Sequence, residues 1–373
     1  MLMRLTNVPR DYAWGSTTLL AALEGRAPSA APEAEVWFGD LPGDPADLAD
    51  GRTLDAVTGG DLPYLLKLLA AGAPLSIQVH PTKEQAQAGF ALEAGQPADD
   101  PRRNYRDDNH KPELIVVLSE RFEALAGLRS ADATLRLLEA FGDSPGVGAL
   151  RARLAGAGDV LRDTIGWVLS GDAQAEVDDV IAALAAAESE EFATELDVVR
   201  AVAERYPGDP GVVVALLMNV VVLSRGEGVF LRAGLLHAYV SGLGVEIMAA
   251  SDNVLRGGLT PKHIDVAELL SILDTTPGDV PVLRPDGGPV TNYEVPVSDF
   301  ALRRVELDGA ERAVDVQAPA MVLATAGDVL VRGADGKPVA APVGAAIFAS
   351  AEENRLVLSG VGEAFIAEPG TAD

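Results

Sequence analysis

The chain has 373 residues, with 56 acidic and 29 basic side chains and a formal net charge of −27. This charge repels nucleic acid and anionic membranes over most of the surface, so an anionic ligand must be held by a local group of Arg and Lys. The absence of cysteine excludes disulfides and thiolate metal ligands. At this length two or three domains are expected, with about 75% of the unfolded surface buried on folding.

Two features of the chain predict a cytoplasmic protein. Residues 1–7 lack the apolar core of a signal peptide. The longest apolar run, residues 211–223, is interrupted by Asn219 and falls short of the roughly 20 residues that a bilayer requires. We therefore expect no membrane partner and no nucleic-acid partner.

Short apolar runs alternate with turn residues in the first third of the chain. The runs 75–79 and 114–118 predict buried strands. Between them, Thr82 and Gln85 have the spacing of a capping box, and an Ala-rich stretch follows up to Leu92. This spacing predicts a helix directly after the first strand.

Residues 131–212 predict a helical insert. Apolar residues recur there at helical spacing, with acidic residues between them: Leu135, Leu138, Phe141, Val177, Val180, Ile181 and Leu184. Gly and Pro in residues 142–148 and 207–210 indicate helix ends and domain boundaries. The insert contains no cluster of ligand-like side chains.

Strand signals resume at Val220 and Val229 and dominate from Tyr293 to the end. Runs such as 301–307 and 355–358 are separated by Gly-Asp, Asp-Gly and Pro-Val turns. This pattern favours a β-sandwich or a jelly roll.

Each of the four histidines lies in a short cluster of reactive side chains: His80, His110, His237 and His263. On an extended strand, Gln78 and His80 project to the same face and offer one oxygen and one nitrogen to a cation. A buried Gln and His bonded only to the backbone is the simpler alternative.

Two further residues complete a candidate metal site. Glu113 follows Pro112 at the mouth of a strand, and His237 follows a glycine-containing turn. With Gln78 and His80 they form an N2O2 set, which suits zinc or another borderline divalent ion and leaves a position for water or substrate. Taken singly, His237 is equally consistent with a core histidine, and the alternative for Glu113 is a solvated charge at a strand end, which the neighbouring His and Lys disfavour only modestly.

A later segment adds two carboxylates, Glu246 and Asp252, and two cations, Arg256 and Lys262. The Arg fork and the Lys ammonium are suited to binding a phosphate. The alternative is an ordinary pair of surface salt bridges with Asp252 and Asp265.

Six ordered motifs resemble those of type I mannose-6-phosphate isomerases, zinc enzymes of the cupin superfamily. They extend from residue 12 to about residue 270, whereas the remaining C-terminal part is similar only in its general β character. The motifs are residues 12–16, 34–37, 73–81, 109–113, 244–248 and 251–263.

The resemblance implies a mainly β fold with cupin-type double-stranded β-helix (jelly roll) domains, an α-helical insert and a C-terminal β domain. The implied catalytic jelly roll is discontinuous and consists of residues 1–130 and 213–295. Residues 131–212 would form the insert, and residues 296–373 a jelly-roll-like C-terminal domain.

The resemblance also implies an activity: a zinc-dependent interconversion of mannose 6-phosphate and fructose 6-phosphate through a cis-enediol, with proton transfer between C1 and C2. The expected partners are one zinc ion per chain and a small sugar phosphate, and we expect a monomer. The implied zinc ligands are Gln78, His80, Glu113 and His237, and the implied catalytic and lining residues are Arg256, Lys111, His110, Asp252, Glu246 and Lys262.

Within this scheme we expect Lys111 to be the proton-transfer base, because desolvation beside a dication favours the neutral amine. Glu246 and Asp252 are the rival bases. His110 would move the proton during ring opening. Arg256 would offset developing negative charge or, with Lys262, bind the phosphate.

Two other functions use a similar pocket. One is a non-catalytic cupin that binds a metal and senses or stores a sugar phosphate, although binding alone needs fewer titratable groups. The other is a non-haem iron oxygenase, which would favour His-rich ligation with open facial positions. What the helical insert does is not decided by the sequence.

Overall fold

The structure is a computed structural model that describes residues 1–97 and 99–371. Most of its regular structure is β. The strands are β1 (Leu2–Thr6), β2 (Glu35–Phe38), β3 (Asp47–Leu48), β4 (Tyr64–Ala71), β5 (Gln78–Val79), β6 (Glu113–Val117), β7 (Phe122–Leu128), β8 (Met218–Leu223), β9 (Gly228–Leu231), β10 (His237–Ala249), β11 (Leu255–Arg256), β12 (Val282–Leu283), β13 (Val290–Tyr293), β14 (Ala301–Asp308), β15 (Arg312–Asp315), β16 (Ala320–Arg332), β17 (Pro338–Ala341), β18 (Ala346–Ala349) and β19 (Arg355–Glu368).

The helices are concentrated in the middle of the chain. They are α1 (Leu19–Leu23), α2 (Asp55–Thr58), α3 (Lys83–Leu92), α4 (Ala131–Leu138), α5 (Pro145–Leu154), α6 (Val160–Leu169), α7 (Gln174–Leu184), α8 (Ala193–Arg205), α9 (Gly211–Leu216) and α10 (Val266–Ile272). A short 3-10 helix, Glu139–Phe141, follows α4. Within the described ranges, none of the helices has the length and apolar character needed to cross a bilayer.

The strands form two antiparallel sheets, which confirms the prediction of a mainly β fold. The ten-stranded sheet has the order β11-β5-β10-β6-β9-β12, and β2, β4, β7 and β8 join it through β4 and β7. Its central 13-residue strand, β10, changes partners along its length. The half that begins at His237 pairs with β5 and β7, and the half that ends at Ala249 pairs with β4 and β6.

The nine-stranded sheet contains the C-terminal strands in the order β13-β14-β19-β16-β18-β1-β3, with β15 on β19 and β17 on β16. Strand β1 pairs with β18 through Leu2↔Ala349 to Leu5↔Ala346. The N-terminus therefore contributes strands to the sheet built mainly from the C-terminus, whereas the sequence assigned residues 1–130 as a whole to the catalytic part. The domain limits themselves stay a prediction.

The side chains of β4 alternate between a hydrophobic core on one face of the strand and the cleft on the other. Leu66 and Leu68 are fully buried in the core shared with Phe348 and Phe365 of the other sheet. Because side chains alternate along a strand, Lys67 points to the opposite face. The Lys67 ammonium is thus buried on a strand whose other side chains are uncharged.

Five consecutive α-helices, α4 to α8, lie within the region in which the sequence predicts a helical insert, and α9 begins at its end and continues to Leu216. The apolar faces of these helices share a core with Val79 of β5 and Leu255 of β11 and with the neighbouring Ile77 and Leu259. The insert therefore packs directly on the strands that carry Gln78 and Arg256.

The capping box before α3 is confirmed, since Gln85 N donates to Thr82 Oγ1 at 3.2 Å and Thr82 N donates to Gln85 Oε1 at 2.8 Å. The predicted strand 75–79 is shorter than expected: only Gln78–Val79 form a strand. Upstream, Leu75 N donates to Tyr239 O and Ile77 N donates to Gly258 O. The segment changes partners at each bond, and a continuous ladder cannot form.

Candidate metal centre and active-site cleft

Three predicted ligands, His80, Glu113 and His237, converge in the interior. Their potential ligand atoms all lie within 4.8 Å of one another, and all three side chains are buried. His80 Nε2 is 3.2 Å from Glu113 Oε1, and His237 Nε2 is 3.4 Å from Glu113 Oε2. One carboxylate therefore lies between two imidazoles.

The sheet brings these residues together. His80 directly follows β5, and its carbonyl accepts a hydrogen bond from Gly234 N at 2.9 Å in the turn before His237. Gly234 has a φ of +76°, a left-handed conformation that favours glycine. Glu113 begins β6 opposite Met248 of β10. Side chains from three distant parts of the chain thus meet in one place.

Hydrogen bonds fix the tautomer of both imidazoles. His80 Nδ1 lies 2.8 Å from Asn253 O, and His237 Nδ1 lies 3.0 Å from Leu235 O. Each Nδ1 must donate, because a carbonyl oxygen only accepts, and the lone pair of each neutral ring is then on Nε2. Burial lowers the pKa of His80 to about 4, although the adjacent Glu113 carboxylate opposes this shift.

This arrangement fits a cation. The His80 Nε2 atom is buried without a hydrogen-bond partner. Both Nε2 atoms lie close to oxygens of Glu113, at 3.2 and 3.4 Å, and these electron-rich atoms repel one another unless a positive charge lies between them. Two nitrogens and a carboxylate suit a borderline divalent ion such as zinc.

Glu113 is held in its charged form. Burial on its own raises the pKa of Glu113, but the Lys111 ammonium and the two imidazoles hold it well below its usual value. Lys111 Nζ is 3.0 Å from Glu113 Oε1 and is itself buried. The proposed base is therefore in direct contact with a proposed metal ligand.

Gln78 lies directly opposite His237 in the pairing of β5 with β10, so both side chains are on the same face. Its amide nitrogen donates to Ser76 Oγ at 3.1 Å. That bond uses the nitrogen, so the amide oxygen is the Gln78 atom that would face a cation. Its role as a fourth ligand stays a prediction.

The metal centre opens into a cleft of about 570 Å³. His80 is buried beneath this surface, with its ring centroid 4.9 Å from that of His237. Most of the other predicted site residues line the cleft, namely Gln78, Lys111, Glu113, His237, Glu246, Asp252, Arg256 and Lys262. Residues separated by nearly two hundred positions thus share one cavity.

His110 occupies a different position. Its Nε2 lies 3.0 and 2.9 Å from the two carboxylate oxygens of Asp299, and among the described residues it is not part of the cleft lining. Asp299 follows 189 residues later in the chain, so no local pattern indicates the pair. The role of His110 in ring opening stays a prediction.

Arg256 and Lys262 form a cationic part of the cleft wall. Burial, and then the neighbouring Arg106, lowers the pKa of Arg256, and partial burial with Arg256 and Arg106 lowers that of Lys262. Asp265, one of the two alternative salt-bridge partners, instead accepts from Glu268 N at 3.0 Å and Asn104 Nδ2 at 3.0 Å. Adjacent cations of this kind are suited to an anionic ligand.

A buried ionic network forms another wall of the cleft. Lys67 Nζ is 3.1 Å from Glu246 Oε2 and 3.7 Å from Glu35 Oε1. Tyr239 Oη donates to Glu246 Oε1 at 2.9 Å, and Trp37 Nε1 donates to Glu35 Oε2 at 2.8 Å. Burial and the nearby carboxylates raise the pKa of Glu246 despite Lys67. Burial alone lowers the pKa of Lys67, but the carboxylates raise it above its usual value.

Several lining residues were not predicted as site residues from the sequence. Lys67 has a recognisable signal, because it is the one charged residue in the apolar strand β4. Tyr239 lies two positions after His237 on the same strand. By contrast, Arg205 and Tyr206 reach the cleft from the helical insert, in which no ligand-like cluster was predicted.

The sequence model of a family described as "Phosphomannose isomerase type I, catalytic domain" matches residues 50–131. The chain is 35% identical to a mannose-6-phosphate isomerase of Salmonella typhimurium, over 97% of this chain and 98% of that protein. It is 31% identical to that of Rattus norvegicus, over 82% of each chain.

Solved structures show the same relationship. A variant of phosphomannose isomerase from Salmonella typhimurium has a TM-score of 0.89 at 32% identity, over 99% of this chain and 100% of that chain. A zinc-bound holo structure of mannose 6-phosphate isomerase has a TM-score of 0.88 at 33% identity, with the same coverage. Similarity of this extent covers the sheets, the insert and the cleft together, and the chain belongs to the type I mannose-6-phosphate isomerase family.

Proposed function

We propose that the protein is a zinc-dependent aldose–ketose isomerase that interconverts mannose 6-phosphate and fructose 6-phosphate. One observation carries this proposal: the His80–Glu113–His237 centre opens into the same cleft as the paired cations Arg256 and Lys262. A sugar phosphate needs both features, because its carbonyl end is activated by a Lewis acid and its phosphate is bound by cations.

His80, Glu113 and His237 would hold the zinc ion, with the Gln78 amide oxygen as the fourth ligand. When bound, zinc would polarise oxygens of the substrate and offset negative charge that develops on them. The Nδ1 bonds to Asn253 O and Leu235 O keep both imidazoles oriented for this task.

The chain also provides groups for the proton transfer. In open-chain mannose 6-phosphate a base removes the C2 proton, a cis-enediol forms, and the proton returns at C1 to give the ketose. We assign the base to Lys111, whose buried Nζ is paired with Glu113. A cation bound by Glu113 would weaken this ion pair and repel the ammonium, which favours the neutral amine that a base requires. Glu246 is less suited because its oxygens already bind Tyr239 and Lys67, and Asp252 is exposed.

Arg256 and Lys262 are assigned to the phosphate, and Arg256 also lies opposite Gln78 in the pairing of β11 with β5. The guanidinium can therefore offset charge near the metal centre as well. His110 is kept as the ring-opening residue, and its Asp299 partner would orient the imidazole.

We also infer that the two antiparallel sheets are jelly rolls of the cupin type. The proposed limits are residues 1–130 with 213–295 for the catalytic domain, 131–212 for the insert and 296–373 for the C-terminal domain. The central strand β10 pairs with β5 and β7 along one half and with β4 and β6 along the other, which supports this assignment. We also propose a monomer, and light scattering would test it.

The activity is tested by measuring fructose 6-phosphate formation from mannose 6-phosphate before chelation, after chelation and after zinc is restored. We expect the activity to disappear with the chelator and to return with zinc. E113Q replaces the one charged ligand by a neutral amide, which binds a dication more weakly, so we expect it to lose most of its activity and to need far more zinc to recover any.

The matched control is E123Q, because Glu123 bonds Ser241 Oγ at 3.0 Å and lies outside the cleft lining among the described residues. We expect this variant to keep its activity. Turnover that is indifferent to the chelator, or equal in E113Q and E123Q, would contradict the proposal.

A further inference from the structure

The end of the helical insert lies against the loop that carries Lys262. Arg205 and Tyr206, at the end of α8, line the cleft together with Pro261 and Lys262. Tyr206 Oη also donates to Pro74 O at 2.7 Å in the segment that leads to Gln78. The insert is therefore part of the cleft wall.

One carboxylate, Asp209, connects this part of the insert to the loop. Asp209 Oδ1 accepts hydrogen bonds from Leu259 N at 3.0 Å and from Gly211 N at 2.7 Å. Asp209 Oδ2 accepts from Thr260 N at 3.2 Å. Both oxygens are thus engaged by backbone amides, and the side chain is suited to hold the loop rather than to touch the substrate.

The loop needs such support because its backbone is unusual. Leu259 has a φ of +55°, and within residues 1–97 and 99–371 it is the only residue other than glycine with a positive φ. A branched side chain disfavours this conformation, which persists where the surroundings hold it. The backbone amides of this residue and of Thr260 are the ones that donate to Asp209.

The backbones of the two segments are also in direct contact. A β-carbon at Gly258 would lie 2.4 Å from Gly211 Cα, and one at Gly211 would lie 2.5 Å from Leu259 N. Side chains at either position would separate the insert from the loop. Glycines on both sides therefore allow Asp209 to reach the loop amides.

Lys262 is the second residue after Thr260 and lines the cleft together with Arg256. We propose that Asp209 is a positioning residue, which fixes the turn at Leu259 and Thr260 so that Lys262 is held beside Arg256 for phosphate binding. The inference rests on the proposed function for its kinetic consequence. It gives the helical insert a role in substrate binding through a residue outside the metal centre.

The first test measures the loop itself by amide hydrogen exchange in the zinc-loaded full chain. We expect D209A to accelerate exchange in the peptide that contains Leu259 and Thr260. The matched control is D179A, because Asp179 Oδ2 accepts from Gly146 N at 2.6 Å elsewhere in the insert. The control should leave exchange in this peptide unchanged.

The second test separates binding from turnover. We expect D209A to raise the KM for mannose 6-phosphate about tenfold, as for the loss of one charge-assisted hydrogen bond, with little change in kcat. D209N should be intermediate, because its amide oxygen still accepts from Leu259 N but its NH2 group cannot accept from Thr260 N. D209N also carries the test if D209A does not yield folded protein.

A double-mutant comparison identifies the route of the effect. If Asp209 acts through Lys262, D209A should change the KM of K262A by less than about twofold, because the two effects are then not additive. An equal rise in both backgrounds, or unchanged exchange in the Leu259 peptide, would overturn the inference. Failure of the wild type to isomerise mannose 6-phosphate would instead overturn the proposed function, while the exchange result would still decide whether Asp209 holds the loop.

Discussion

Asn253 connects the orientation of His80 to the segment before Glu113. Its carbonyl accepts from His80 Nδ1, while its side-chain NH2 donates to Asp107 O and Asn109 O, both at 2.8 Å. A buried amide with this many bonds fixes the position of its own backbone. The sequence shows an Asn in a family motif, but the carbonyl that receives the imidazole proton is visible only in the structure.

Lys67 compensates the charge of Glu35 and Glu246, so its removal should be costly. We expect K67M to lower the free energy of unfolding by about 3 kcal/mol, because it leaves buried carboxylates without their cation. Urea unfolding measures the loss. K337M is the control, since Lys337 is exposed, and it should change stability by less than about 0.5 kcal/mol.

The pH dependence of K67M follows from Glu246. Burial raises the pKa of Glu246 above its usual value of 4.5. Between pH 4.5 and this raised pKa, the folded state therefore binds more protons than the unfolded state. Lys67 opposes this shift, so the pKa of Glu246 should be higher still in K67M. As the pH falls, K67M therefore gains more stability than the wild type, and its deficit should shrink. E246Q should restore part of the loss in K67M at neutral pH. A double variant no more stable than K67M would contradict this account.

At the scale of single elements, α3 contains a glycine that helix propensity alone would replace. A β-carbon at Gly89 would lie 2.2 Å from the Tyr105 ring, which is buried and bonded to Glu268. We expect G89A to lower the free energy of unfolding by about 1–3 kcal/mol, because overpacking outweighs the gain in propensity.

The matched control is G148A in α5, where a β-carbon would have no neighbouring atom within 4 Å. This substitution should raise the free energy of unfolding by about 0.5–1 kcal/mol, since only backbone entropy changes. Thermal or urea unfolding of both variants measures the difference. If G89A were as stable as G148A, the contact with Tyr105 would not constrain α3.

Local patterns predicted some elements better than others. The capping box of Thr82 and Gln85 was predictable because all of its bonds lie within four residues. The strand 75–79 was overpredicted, because an apolar run does not reveal that Leu75 and Ile77 bond to different segments. The Asp209 contact to the loop at Leu259 was not predictable, since fifty residues separate its partners.

For the whole molecule, the sequence predicts which segments form strands but not which strands pair with each other. The β character of the C-terminal part follows from its alternating runs and turns. The pairing of β1 with β18 joins the two ends of the chain, and a sequence pattern contains no information about such a partner. The three ligands His80, Glu113 and His237 were predictable because each lies in a motif of its own, whereas their separations were not.

The metal centre should stabilise the whole molecule, because it joins segments near residues 80, 113 and 237 that are connected only through the fold. A ligand that binds only the folded state stabilises it by about 2.7 kcal/mol when present at a hundred times its Kd. We expect zinc to raise the unfolding midpoint of the wild type and of E123Q, and a chelator to reverse this. In E113Q the shift should be lost or much smaller, since the carboxylate between the two imidazoles is gone. An equal zinc-dependent shift in E113Q would mean that zinc binds elsewhere, and that these three segments are held together by packing alone.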